Sequence, residues 1–133
     1  MKVIEATKKL KRLDAGDYWV GDPCYVLTEE LGFDWQAFCR YSFNGDPSGR
    51  KNEGMIEHQG IKFAYFGTKW GDGGYNDEDG NLYGVDSGSL ACIPMSNISH
   101  DNMLGNVHTF PSSFTCGYQS SGTIRFGHIK IRT

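Results

Sequence analysis

From Asp14 onward, glycine interrupts this chain at such short intervals that almost no segment is long enough for an extended helix. Eighteen glycines in 133 residues is roughly twice the usual share, and each one weakens a helix interior while easing a turn. Between the glycines stand short runs rich in aromatic and β-branched residues, which favour strands. Tyr18-Trp19-Val20 and Cys24-Tyr25-Val26-Leu27 predict two strands about the turn Gly21-Asp22-Pro23. Further strands are expected at Met55–Glu57, Ile61–Phe66, Leu82–Val85 and Leu90–Pro94. Phe114–Tyr118 should pair as a hairpin with the closing run Thr123–Ile131. In that last run the apolar phase breaks at Gly127, which predicts a bulge there. Glu78-Asp79-Gly80-Asn81 has the chemistry of a tight hairpin turn, with Gly80 free to take positive φ.

One segment reads as a helix, about 28–40. Thr28 supplies an N-cap, Glu29 and Glu30 suit the first turn, and Leu31, Trp35 and Phe38 recur at helical spacing despite Gly32. Residues 44–54 carry no large apolar side chain and predict a long connection. Residues 1–12, with the basic run Lys8 to Arg12, suit a peripheral first helix or strand; a solvated helix face explains the charges better than a nucleic-acid arm. The expected architecture is one mainly-β domain over 1–133, an antiparallel curled sheet or small sandwich with a single helix.

Composition then excludes several classes. Aromatics at 14% are too abundant for a disordered chain, and a mean hydropathy of −0.48 without any 18-residue apolar run predicts no membrane span. A net charge of −3 lacks the basic signature of a nucleic-acid binder. No apolar stretch follows the N-terminal basic residues, so no export signal is expected and the cytosol is the expected compartment. Cys24, Cys39, Cys92 and Cys116 include no C-x-x-C pair, and His58, His100, His108 and His128 fall in no ligand spacing. No metal or other cofactor is expected.

Three constellations hold candidate site residues. In Gly21-Asp22-Pro23-Cys24-Tyr25, Cys24 beside Asp22 would be a nucleophile only if a histidine approached. The simpler explanation is a turn capped by Asp22, with Pro23 fixing φ. In Trp70-Gly71-Asp72-Gly73-Gly74-Tyr75 the glycines suggest either a tight hairpin or a close approach by a ligand; with no Lys-Ser/Thr after it, this is no phosphate-binding P-loop. Asp22, Asp72 and Asp86 all fall at strand ends, where a converging pair would serve acid–base work or a hard cation. Asp77-Glu78-Asp79-Gly80-Asn81 fails the calcium-loop pattern, because counting back from Gly80 puts Tyr75 at the first ligand position. The many Tyr, Trp and Gly residues exceed what a core of this size needs, and such residues are favoured on contact surfaces.

Gly21-Asp22-Pro23-Cys24-Tyr25-Val26, Trp70-Gly71-Asp72-Gly73-Gly74-Tyr75, Val85-Asp86-Ser87-Gly88 and the ending from Gly122 to Thr133 together resemble a family of small bacteriophage and prophage proteins. That family shares GDPCYV-, GDGxY- and VDSG-like motifs in this order, and the resemblance spans roughly residues 17–133. The Trp-Gly-Asp-Gly stretch is also loosely similar to a bacterial domain family. The resemblance implies a phage gene expressed in a bacterial cytosol, and phage accessory proteins of this size often bind and block host factors, as in counter-defence. The leading expectation is therefore a non-enzymatic protein that binds a host or phage protein through a surface including Asp22, Tyr25, Trp70, Asp72, Tyr75 and Asp86. One alternative is a small-molecule or nucleotide-binding protein with Trp70 and Tyr75 as stacking walls. A second is an Asp-dependent hydrolase.

Overall fold

The computed structural model describes residues 8–26, 35–42, 52–58, 60–98 and 105–133. Among these are eleven strands and one α-helix: β1 Lys8–Lys9, β2 Gly16–Gly21, α1 Trp35–Ser42, β3 Gly54–His58, β4 Ile61–Gly67, β5 Gly73–Asn76, β6 Leu82–Val85, β7 Ser89–Pro94, β8 Asn106–Phe110, β9 Cys116–Tyr118, β10 Thr123–Phe126 and β11 Ile129–Arg132. All pairings are antiparallel, in a six-stranded sheet ordered β1-β3-β4-β7-β2-β8, a three-stranded sheet β11-β10-β9 and the hairpin β5-β6. The described residues form the mainly-β, antiparallel arrangement with one helix that the sequence predicts.

The large sheet is buried on both faces, which explains the near-continuous apolar runs of its central strands. On one face Tyr18 and Val20 of β2, Ala64 and Phe66 of β4, and Leu90 and Cys92 of β7 pack against Tyr83, Val85, Ile124, Phe126, Ile129 and Ile131. The alternate residues Trp19, Phe63, Tyr65, Ala91 and Ile93 form a second core with Val26 and Phe38. Period-two alternation thus sends the apolar residues at the middle of these strands into one core or the other, while Asp17 and Lys62 near the strand starts stay exposed. Two isolated bridges, Leu13 to Phe114 and Asp77 to Ile131, tie the smaller sheets to their neighbours.

The helix presents Phe38 edge-on to Tyr65, with ring centroids 4.7 Å apart. Its C-terminal turn is closed by Asn52, whose Nδ2–H donates to the Tyr41 carbonyl at 2.9 Å while Tyr41 Oη–H donates to the Asn52 carbonyl at 3.0 Å. The expected helix overlaps α1 over Trp35–Arg40; its start, with Thr28, Glu29, Glu30 and Leu31, lies outside the described residues, as do 44–51 of the expected connection and His100.

Four local expectations are corrected. Residues 24–26 form no strand, and Leu27 lies outside the described residues: Asp22 accepts from Cys24 N–H, Pro23 fixes the first φ, and Pro23–Tyr25 turn into a 3-10 helix. Gly127 is no bulge but half of a two-residue turn, since Phe126 pairs directly with Ile129. Gly73–Asn76 is strand β5, drawn into extension by pairing with β6. Of the helix or strand expected for the basic N-terminal run, the described part is a strand, so the helix face expected for its charges is absent there: Lys8–Lys9 add an edge strand to β3, and Lys9 Nζ–H donates to the carbonyls of Asn52 and Glu53 at 3.0 and 2.8 Å. Strand β8 is an addition that the sequence reading lacks.

Candidate functional site

Strands β2 and β4 both pair antiparallel with β7, so their C-terminal ends and the start of β7 meet at one end of the large sheet. That topology gathers three loops: Asp22–Tyr25 after β2, Thr68–Asp72 after β4, and Asp86–Gly88 before β7. Each carries one of the motifs singled out in the sequence.

Asp22 joins the first loop to the third. Its side chain is fully buried, and four hydrogen bonds converge on it. Oδ2 accepts from the N–H groups of Asp86 and Ser87, both at 2.7 Å. Oδ1 accepts from Cys24 N–H at 2.9 Å and from the Ser87 hydroxyl at 2.6 Å. A carboxylate has about four acceptor positions, so its capacity is met by these donors. Short bonds from N–H groups to a charged acceptor are among the stronger kind. Asp22 is therefore a clamp between loops more than sixty residues apart in sequence, with no oxygen spare for acid–base chemistry.

Cys24 is equally unsuited to attack. Burial, then its hydrogen bond to Asp22 and the charges of Asp22 and Asp86, push its thiol up to about 12. A nucleophilic cysteine needs the thiolate. Tyr25 donates its hydroxyl to Asp86 Oδ2; that bond first, then burial and the Asp86 charge, hold the phenol well above its ordinary range, so it remains a donor.

The middle loop is fastened to the third by Thr68 N–H donating to the Gly88 carbonyl at 2.8 Å. Within it, the Gly71 carbonyl accepts from the hydroxyls of Thr68 at 2.6 Å and Tyr75 at 2.8 Å. Trp70 projects from this braced loop with 74% of its surface exposed, and Lys69 Nζ lies 5.3 Å from its ring centroid. Asp72 is exposed and makes no hydrogen bond with Asp22 or Asp86. The structure thus brings Asp22, Tyr25 and Asp86 together, sets Trp70 and Asp72 on the adjoining loop, and leaves the three aspartates without a shared centre.

Tyr75 braces the middle loop through its hydroxyl and also lines, with Asn76, Asp77, Glu78, Lys130 and Arg132, an open cleft of about 540 Å³ that does not include Trp70. Ser87 was missed as a site residue, because nothing local in the sequence links it to Asp22.

A second polar cluster lies between the β5-β6 hairpin and β8. Asp77, mostly buried, accepts from Tyr83 Oη–H at 2.7 Å, Asn81 Nδ2–H at 2.9 Å, and the N–H groups of Asp79 and Asn81 at 2.9 and 3.0 Å. Burial raises its carboxyl, but these donors outweigh it and leave the group below the usual range. His108 Nε2 stands 2.8 Å from the Tyr83 oxygen. Since the Tyr83 proton goes to Asp77, His108 Nε2–H is the donor in this contact. Burial lowers its pKa, against the opposing charge of Asp77.

The sign of the resulting pH dependence follows. The unfolded histidine takes up a proton near pH 6.5 and the folded one resists, so the stability this group contributes is present above about 6.5 and lost as pH falls towards the folded value. His108→Gln keeps an N–H donor for Tyr83 and cannot titrate. Urea midpoints of the variant should therefore fall less than those of the wild type between about pH 7 and pH 5. Parallel curves would place the dependence on other groups.

Among the described residues no group of three or more His, Cys, Asp or Glu is placed to share a metal ion, and no helix is long and apolar enough to cross a membrane. Compared with protein-family models, curated proteins and solved structures, the chain matches none.

Proposed function

We propose that this chain is a small phage-type accessory protein that binds another protein, a host factor by preference, and modulates it by covering part of its surface. The contact surface is the three-loop end bearing Trp70, Tyr25, Asp72 and Asp86. A single observation supports this most: Trp70 is 74% exposed, yet it stands on a loop cross-braced to its neighbours. An indole left in water on a rigid mount contributes little to folding and suits an interface anchor, because large aromatics dominate binding energy and a pre-formed loop loses little entropy on docking. The exposed carboxylates of Asp72 and Asp86 beside it would favour a partner patch carrying Lys or Arg.

Trp70→Ala should leave stability within about 0.5 kcal/mol of wild type, because the ring is exposed. The same variant should lose the partner when tagged chains are purified gently from host cells and weighed by native mass spectrometry. Equal retention of a polypeptide by both chains would reject Trp70 as the anchor. A co-purifying metabolite in place of a polypeptide would favour the alternative below.

That alternative, small-molecule binding, is supported by the 540 Å³ cleft, whose lining combines Tyr75 and Asn76 with the carboxylates Asp77 and Glu78 and the cations Lys130 and Arg132. Its volume lies within the usual range for ligand pockets. The cleft moves the ligand reading away from Trp70, and the hydrolase reading loses Asp22 to its four donors.

A further inference from the structure

At the opposite end of β2 from the three loops lies a pocket of about 370 Å³, lined by Arg12, Ser112, Ser113, Arg125 and His128 over a floor of Phe110 and Phe114. We propose that this pocket binds a phosphate group, as the free dianion or as the terminal group of a phosphate ester.

Charge is the first argument. Two arginines and a histidine line the pocket, and among the described residues no carboxylate does. Arg125 is half-buried on β10, and its hydrogen-bond partners are neutral: Nη1 donates to the carbonyls of Thr115 at 2.8 Å and Gly127 at 3.3 Å, and Nη2 to Thr115 Oγ1 at 3.1 Å. A cation partly withdrawn from water gains from an anion beside it, because even partial desolvation is costly. Here the counter-charge is missing from the described lining, and an entering anion would supply it.

Geometry is the second. Of the five N–H donors on Arg125, three are held by those backbone and hydroxyl acceptors, which leaves two on a guanidinium whose plane is already fixed. Arg12 Nη1 donates to Ser113 Oγ at 3.2 Å, so the Ser113 proton is directed to another acceptor. The far wall is equally determined. Gly127 has φ of +57°, and a Cβ there would stand 2.7 Å from the Phe110 ring, so the turn can sit this close only as glycine. It sets the His128 ring with its centroid 5.1 Å from that of Phe110.

Chemistry then selects the ligand. Donors from two arginines, two serines and a histidine approach from different elements, which suits a tetrahedral anion with several oxygens better than a flat carboxylate satisfied by one fork. The volume is near the lower limit for ligand pockets, enough for a phosphate group with the rest of an ester outside. The pocket is separated from Trp70 by the length of β2, about 17 Å at ~3.4 Å per residue, so it stands or falls independently of the proposed contact surface.

The test is titration of the full, isotope-labelled chain with inorganic phosphate and, separately, with O-phosphoserine, followed by NMR at the Arg125 Nε–H and the Ser112, Ser113 and His128 amides. Sodium chloride at matched ionic strength and unphosphorylated serine serve as controls. Saturable shifts confined to these groups are expected, with binding weakened about tenfold or more in Arg12→Gln, whose exposed side chain is dispensable for folding. Arg125→Lys keeps the charge but loses the fork, and should weaken binding too. Saturation by phosphate alone supports the site and assigns it to the free ion; saturation by both probes supports it and admits the ester. Shifts no larger than those with chloride, or unchanged affinity in Arg12→Gln, would overturn the proposal.

Discussion

Asp22→Ala is expected to destabilise the fold by about 3–5 kcal/mol, as expected when a fully buried charged acceptor is removed from several donors. The substitution leaves the N–H groups of Cys24, Asp86 and Ser87 and the Ser87 hydroxyl without the fully buried acceptor that holds them together. Each orphaned donor costs on the order of 1–3 kcal/mol, with partial relief as the loops relax. Against a total stability of about 5–15 kcal/mol, that is a large fraction. Asp22→Asn should be only partly milder, because its amide turns an N–H towards groups that are themselves donors. Ser87→Ala removes a single bond and should cost about 1 kcal/mol. Urea unfolding of the three variants gives the ranking. A loss below about 1 kcal/mol for Asp22→Ala would mean that the loops are held by other contacts.

Gly105→Ala should cost about 2–3 kcal/mol, seen as a fall in Tm of about 10 °C. Trp19 is buried in the helix-side core, and its indole lies against the backbone of Gly21 and Gly105. A Cβ on Gly105 would stand 2.3 Å from Cε2 and 2.5 Å from Nε1; one on Gly21 would stand 2.6 Å from Cη2. These are ring atoms of a buried side chain, so relief requires backbone movement. Gly84→Ala is the matching control: its added methyl meets nothing within 4 Å, and its stability should stay within about 0.5 kcal/mol of wild type. Equal effects at the two positions would show that strand glycines matter here through backbone entropy and not through room for Trp19.

How much of this was legible beforehand depends on how local the cause is. Glycine spacing and aromatic runs disclosed a mainly-β domain because turns and strand preference act within a few residues. Helix α1 was visible from the spacing of Trp35 and Phe38. Strand β8 was not: Asn106-Val107-His108-Thr109-Phe110 alternates, but Val107 is exposed and the inward-facing polar residues are accommodated by long-range partners, Tyr83 for His108 and the Leu82 carbonyl for Asn106. Gly127 was read as a bulge because a phase break fits either a bulge or a two-residue turn, and only the pairing of Phe126 with Ile129 decides between them.

The site divides in the same way. A turn at Asp22-Pro23 could be read from the sequence, since the bond from Cys24 spans two residues. The second half of the Asp22 clamp spans 64 and 65 residues, and no spacing rule reaches that far. Trp70 was singled out for its type and glycine setting, whereas its exposure depends on how β4 ends against β7. The cationic pocket drew no attention because Arg12, Arg125 and His128 are scattered through the chain and meet only when Leu13 bridges to Phe114.

Site-specific photo-crosslinking tests the proposed binding surface most directly. A photoreactive phenylalanine analogue would replace Trp70 in one chain and Val107, 55% exposed on edge strand β8, in another, with both irradiated in host cells. A crosslink from position 70 to one discrete polypeptide, absent from position 107 and competed by wild-type chain, is the predicted result. Adducts from position 107 alone, or none from position 70, would contradict a binding surface at the three-loop end.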